Sequence, residues 1–142
     1  MPVDPALRAR REAVVKAHVD AENRHDIKAT LATFHHARYD VIAFGQVVDG
    51  PEGVSALLAG LFAGFPDFTV RPLATYHADN AVIAEVEMSG THKGPWAGLE
   101  PKGGKRRMKV PVAAIFLFDG DRLTSEKIYF DFAAIRQQLG HA

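Results

Sequence analysis

The chain reads as α+β, with helices first and then a mostly antiparallel sheet that has one helix inserted before it is complete. Three observations carry this. Apolar residues recur at helical spacing in the N-terminal part. From Ala81 the pattern becomes strictly alternating. Val112 to Phe118 is then apolar at every position. The stretch from Ala81 to Phe118 is therefore a strand, a long loop rich in Gly, Pro and positive charge, and a second strand. Loops held by a rigid sheet are where function concentrates.

Asp4-Pro5 is an N-cap followed by proline at the first helical position. Leu7, Val14, Val15, His18 and Val19 give the first helix its apolar stripe, and it runs to about Arg24. His25-Asp26 breaks it, and Asp26 caps a short second helix with Ile27, Leu31 and Phe34 on one side. Tyr39 to Phe44 is β-branched and aromatic enough for a strand. Asp49-Gly50-Pro51 opens a third helix with Val54, Leu57, Leu58, Leu61 and Phe62, ended by Gly64 and Pro66. Phe68 to Leu73 is a strand that Pro72 assigns to an edge.

After the turn at Ala78-Asp79-Asn80, Val82, Ala84, Val86, Met88 and His92 share one face of a strand. Ile83, Glu85, Glu87 and Ser89 share the other. The doubly apolar strand Val112–Phe118 calls for cover on both faces. Three helices cannot cover both, so a second copy packed through the sheet is expected. Asp119-Gly120 turns into a final strand, Leu123 to Phe130. A last helix spans Phe132 to Leu139, with Gly140 as its C′ residue.

A length of 142 residues suits a single domain, 1–142. Lys plus Arg and Asp plus Glu are 17 each, so no net charge draws the chain to nucleic acid or an anionic membrane. Cys is absent, which removes disulfides, thiol nucleophiles and thiolate metal sites. The N-terminal stretch has no apolar signal core, and no apolar run approaches the roughly 18 residues of a membrane span. A cytoplasmic protein is expected.

Asp131 follows the last strand. It is placed to cap the final helix, and also to present a carboxylate to an apolar cavity, where burial would make it a general acid or base. His92 lies where its strand runs out, on the helix-facing side, either as a structural histidine or at a cavity mouth. Trp96 is core packing or a pocket wall. Tyr129, Phe116, His36 and Phe62 complete the expected binding set. His35 and His36 are adjacent and would face opposite ways, and no HExxH or carboxylate triad is present, so no metal is expected. Glu85 and Glu87 are expected to be solvated or at a dimer interface. The basic cluster Lys102, Lys105, Arg106, Arg107 and Lys109 reads as a solvated loop.

Gly50-Pro51-Glu52-Gly53-Val54, Phe65-Pro66-Asp67-Phe68, Gly90-Thr91-His92-Lys93-Gly94, Tyr129-Phe130-Asp131 and Gln138-Leu139-Gly140 resemble the SnoaL-like polyketide cyclases of the nuclear transport factor two-like superfamily. The resemblance runs from about Glu12 to Gly140. It implies a curved, mostly antiparallel sheet wrapped by the N-terminal helices into a cone with a pocket, and a homodimer packed through the sheet. It implies ring closure by intramolecular aldol condensation without metal or cofactor, with an Asp at the end of the last strand, here Asp131, as acid and base. The sequence departs from the family at the strand before the last. Cyclases place polar Gln and His there, and this chain has Ala113, Ala114, Ile115, Phe116 and Leu117.

Two readings of function follow. One is a cofactor-free enzyme doing aldol-type cyclisation, or a related isomerase or lyase reaction, on a small apolar carbonyl compound such as a polyketide. The alternative is a non-catalytic binding protein for a small apolar ligand. A dimeric interaction module would instead have a filled cone.

Overall fold

The computed structural model describes residues 3–141. Asp4 accepts a hydrogen bond from Ala6 N and starts α1 (Pro5–Asn23), which turns Val15, His18, Val19 and Ala21 inward. His25 then takes a left-handed φ of 56°. Its ring stacks on Phe62 at 4.2 Å, and its Nε2 lies 2.9 Å from the Phe68 carbonyl, which anchors the break. Asp26 Oδ1 accepts from Ala29 N and caps α2 (Ile27–Ala32).

The stretch expected as one strand, Tyr39 to Phe44, is the end of a strand followed by a turn. β1 (Arg38–Val41) runs into a 3-10 turn (Ile42–Phe44), and Gly45, at φ 60°, reverses the chain into β2 (Gln46–Asp49). The apolar residues of the turn imitate a continuing strand, and they hide the reversal. α3 (Pro51–Gly64) follows.

β3 (Thr69–Ala78) is longer than expected. It does lie at an edge, with a register shift between Pro72 and Ala74. β4 (Ala81–Thr91), β5 (Arg107–Asp119), β6 (Arg122–Phe130) and α4 (Phe132–Gln138) complete the chain. β5 begins at Arg107 rather than Val112, because Met108 and Val110 continue the inward alternation. Pro111 is tolerated since β6 ends opposite Val112, leaving no ladder to break on that side.

The six strands run β2-β1-β6-β5-β4-β3, and the sheet is open. The β1–β6 pair is parallel and the others are antiparallel. The helices lie over one face. There Val82, Ala84, Val86 and Met88 of β4 meet Val112, Ala114, Phe116 and Phe118 of β5 in the core. The other face carries half-buried Ile83, Ala113, Ile115 and Leu117, with Tyr76 and Tyr129 exposed. The expected α+β cone is the architecture observed. Among the described residues, no helix is long and apolar enough to cross a membrane.

Candidate active site

Between the sheet and helices α1 and α3 lies a cavity of about 100 Å³. Val41, Leu58, Phe68, Met88, Ala114 and Phe116 are among its apolar walls, and its polar wall is Glu22, Tyr39 and Glu126. His18, fully buried, stands against all three.

Local structure explains the convergence. His18 and Glu22 are one helical turn apart on the inward stripe of α1. Tyr39 and Glu126 are register partners in the parallel β1–β6 pair, so both side chains project to the inner face. The His18 ring is wedged edge-on against Phe34 at 5.3 Å and Phe116 at 5.4 Å.

The hydrogen bonds fix how the imidazole is used. Thr33 Oγ1 donates its proton to the Thr30 carbonyl at 2.6 Å, so at 2.9 Å it accepts from His18 Nδ1–H. The other nitrogen, Nε2, lies 2.6 Å from Glu22 Oε1, 2.9 Å from Glu126 Oε1 and 3.0 Å from the Tyr39 hydroxyl. Burial by itself would lower the His18 pKa. The two carboxylates outweigh that and raise it to about 10, so the ring is an imidazolium at neutral pH. Burial raises the Glu126 pKa, and His18 offsets part of the rise. Burial, then the nearby Glu22 and Glu126, raises Tyr39 well above its ordinary range, so its hydroxyl stays a donor. Glu126 Oε1 is close to the imidazolium but is not aligned with its N–H, and it has no hydrogen-bond partner. The site thus offers the Tyr39 phenol as a donor, backed by a buried imidazolium, beside a carboxylate of raised proton affinity.

The expected site residues are only partly brought here. Trp96 and Phe116 line the cavity. Asp131 is exposed and caps α4, its Oδ1 accepting from Ala134 N at 3.0 Å, and it is not part of the cavity lining. The chain turns outward after Phe130, and that carries the carboxylate away. His92 is buried behind Phe65, stacked at 5.2 Å, and Phe65 in turn meets Trp96. Burial lowers the His92 pKa, so the ring is neutral. Tyr129 points to the outer face because the strand alternation sends Ile128 and Phe130 inward. His36 is exposed and paired with Asp49 at 2.9 Å. Phe62 packs on His25 and Phe68 instead of facing the cavity. Glu87 bonds Arg71 within the chain.

His18, Glu22, Tyr39 and Glu126 were not singled out by the sequence. Two signals were present: a His–Glu pair at i, i+4 that begins within the apolar stripe, and one Glu among Ile128 and Phe130 on the inward parity of β6. The same cluster corrects the expectation that no ligand spacing exists. Among the described residues, His18, Glu22 and Glu126 could hold a metal ion, with ligand atoms within 4.8 Å of one another. Their 2.6 and 2.9 Å separations are those of close ion pairs, and a cation would have to displace the proton that the carboxylates favour on His18.

The model of the SnoaL-like polyketide cyclases matches residues 12–139. The chain belongs to this family. Among solved structures, a candidate SnoaL-like polyketide cyclase from Jannaschia sp. CCS1 superposes with a TM-score of 0.83 at 19% identity, over 100% of this chain and 99% of the other. A candidate polyketide cyclase from Xanthomonas campestris pv. campestris gives 0.84 at 22%, over 94% and 99%. A protein of ketosteroid isomerase-like fold from Catenulispora acidiphila, in complex with trimethylamine, gives 0.76 at 24%, over 91% and 93%. At these identities the likeness establishes the fold. None of the curated proteins searched matches the chain. For a SnoaL-like protein, this one builds its polar cluster from α1, β1 and β6 rather than from the strand before the last.

Proposed function

We propose that the chain is an acid/base enzyme that enolises a small apolar carbonyl compound without a cofactor, leading to isomerisation or aldol-type ring closure. One observation carries this: the polar wall of an otherwise apolar cavity pairs a carboxylate of raised pKa with a buried phenol and imidazolium. Enolate chemistry needs a base beside a C–H and a donor at the carbonyl oxygen. Glu126 takes the α-proton, and the Tyr39 hydroxyl donates to the developing enolate oxygen. The His18 imidazolium, 3.0 Å from that hydroxyl, favours the negative charge, and Glu22 balances His18. The protonated Glu126 then returns the proton, to a different carbon in an isomerisation. In ring closure the enolate carbon forms a bond to a second carbonyl carbon, and the new alkoxide takes the proton. In this reading Glu126 and His18 replace Asp131 and His92, which lie outside the cavity lining.

The test is deuterium exchange into the α-carbons of 2-butanone, followed by NMR. The wild type should accelerate exchange, and Glu126→Gln should lose about 10²–10⁴-fold. Equal exchange by the two proteins would remove the assignment. The cavity's apolar lining favours the second reading, a binding protein for a small apolar ligand. It would stand if 2-butanone raised the melting temperature while wild-type exchange stayed at the buffer rate. A homodimer through the outer sheet face and a cytoplasmic setting belong to the same proposal. The first is supported by half-buried Ile83 and Ile115.

A further inference from the structure

The cavity beside Glu126 is small. An apolar cavity of about 150 Å³ holds a benzene molecule, so about 100 Å³ takes only a few heavy atoms. A second hollow of about 460 Å³ adjoins it and opens between exposed Ala56, Gly60, Pro95 and Ala97. Four residues, Phe44, Leu57, Leu61 and Trp96, line both spaces. They form a neck, with the Phe44 and Trp96 rings 5.8 Å apart at 60°.

The neck is built in place. Trp96 and Leu99 exchange backbone hydrogen bonds of 3.0 and 2.8 Å around Ala97-Gly98, whose φ values are 51° and 76°. That is a two-residue turn with both central residues left-handed. Gly94 N and Lys93 N both donate to the Gly64 carbonyl and tie this loop to the end of α3. Phe44 is held edge-on by Phe130 and Phe132.

From this geometry we infer that the ligand is bipartite. A terminal carbonyl-bearing end of a few heavy atoms occupies the inner chamber, and an apolar arm passes the neck into the outer hollow. The inference rests on the acid/base reading for the identity of the inner end. It excludes substrates whose reacting carbonyl sits inside a fused ring system, because such a ring does not fit the inner chamber. It also makes the outer hollow the determinant of arm length. Each arm methylene buried there should tighten binding about fourfold.

Two probe series test it, 2-alkanones from butanone to decanone and 1-alkanols of the same lengths, with Kd measured by calorimetry. Each is run on the wild type and on Gly60→Leu. A Cβ at Gly60 meets nothing within 4 Å, and leucine favours a helix interior, so the variant should fold and project into the outer hollow. The expected result is a rise of about fourfold per methylene in the wild type once the inner chamber is full. That rise should be flattened in Gly60→Leu, with ketones bound more tightly than alkanols. A wild-type series that is flat, a rise that Gly60→Leu leaves intact, or no binding of either series would overturn the bipartite site. Alkanols that match ketones at every length, with the rise still flattened by Gly60→Leu, would uphold the two-chambered site and remove the carbonyl reading.

Discussion

His18 on α1 and Glu126 on β6 lie 2.9 Å apart, Nε2 to Oε1, with no aligned N–H between them. Nε2 is instead hydrogen-bonded with the Tyr39 hydroxyl at 3.0 Å, and Glu22 is the nearer carboxylate at 2.6 Å. Glu126 therefore feels the positive charge without accepting its proton. A carboxylate in that position keeps a lone pair for another donor, or for a proton drawn from carbon. Fully paired buried carboxylates have nothing left to give in this way.

The pair also sets a pH dependence. His18 is raised from 6.5 to about 10. A histidine held protonated contributes stability that is fully present below its unfolded value and lost as pH rises through its folded one. Glu126 is raised from 4.5, so its contribution also falls as pH rises, starting at lower pH. The melting temperature should therefore decline between pH 6.5 and about 10. The His18 slope is at most about 1.4 kcal/mol per pH unit. Glu22→Gln removes one carboxylate that holds the proton and should make the decline shallower. A wild-type melting temperature that rises or stays level over this window would contradict the imidazolium.

Asp131→Asn should leave α4 intact, since Asn caps helices about as well as Asp. Asp131→Ala should cost about 0.5–2 kcal/mol in denaturant unfolding. Neither should change ketone exchange, because the carboxylate is spent on Ala134 N outside the cavity lining. Loss of exchange in Asp131→Asn at unchanged stability would return the base to Asp131.

The difference between Asp131 and Glu126 shows what the sequence could reveal. Period-two alternation in β4 and β5, the caps at Asp4 and Asp26 and the edge Pro72 are local signals, and each was legible. The cluster of His18, Tyr39 and Glu126 depends on a parallel pairing between β1 and β6, far apart in the chain. No local pattern encodes that pairing. The hairpin at Gly45 was missed for a related reason. Ile42 to Phe44 are apolar although only Phe44 faces the cone and Ile42 is exposed, and the same residues read as a strand. Of the two roles expected of Asp131, the cap is present. Its sequence gave no sign that the chain would turn its carboxylate outward.

Gly94 packs against α3 so tightly that a Cβ there would lie 2.7 Å from the Ala63 carbonyl oxygen. Backbone cannot yield as a flexible side chain would. Gly94→Ala should therefore destabilise by about 1–3 kcal/mol. It should also shift the emission of Trp96, the one tryptophan in the chain, because the Gly64–Gly94 contact anchors its loop. Unchanged emission would mean that the neck does not depend on this contact.

EDTA should leave the melting temperature unchanged. The three possible ligands His18, Glu22 and Glu126 are already joined as an ion-pair cluster, and a divalent ion would compete with the His18 proton. A drop on chelation that a single metal reverses would replace the proton with an ion in this site.

The outer sheet face makes the last prediction. Ile83 and Ile115 are register partners at its centre, flanked by Ala113 and Leu117, and Tyr76 and Tyr129 stand exposed beside them. An apolar centre with aromatic neighbours is the composition of an interface core. Glu87 is paired with Arg71 at 3.2 Å and lies 3.8 Å from Lys109, while Lys127, the register partner of Ile115, and Glu85, that of Ala113, are charges that the contact would have to pair across the two copies. A second copy placing the same face against this one would bury the isoleucines isologously. Light scattering at micromolar concentration should give twice the mass of the chain. Ile115→Arg should reduce it to that of a monomer while far-ultraviolet circular dichroism stays the same, because the substituted side chain faces away from the core. A wild-type monomer at that concentration, or a dimer that survives Ile115→Arg, would show that the sheet face is not the interface.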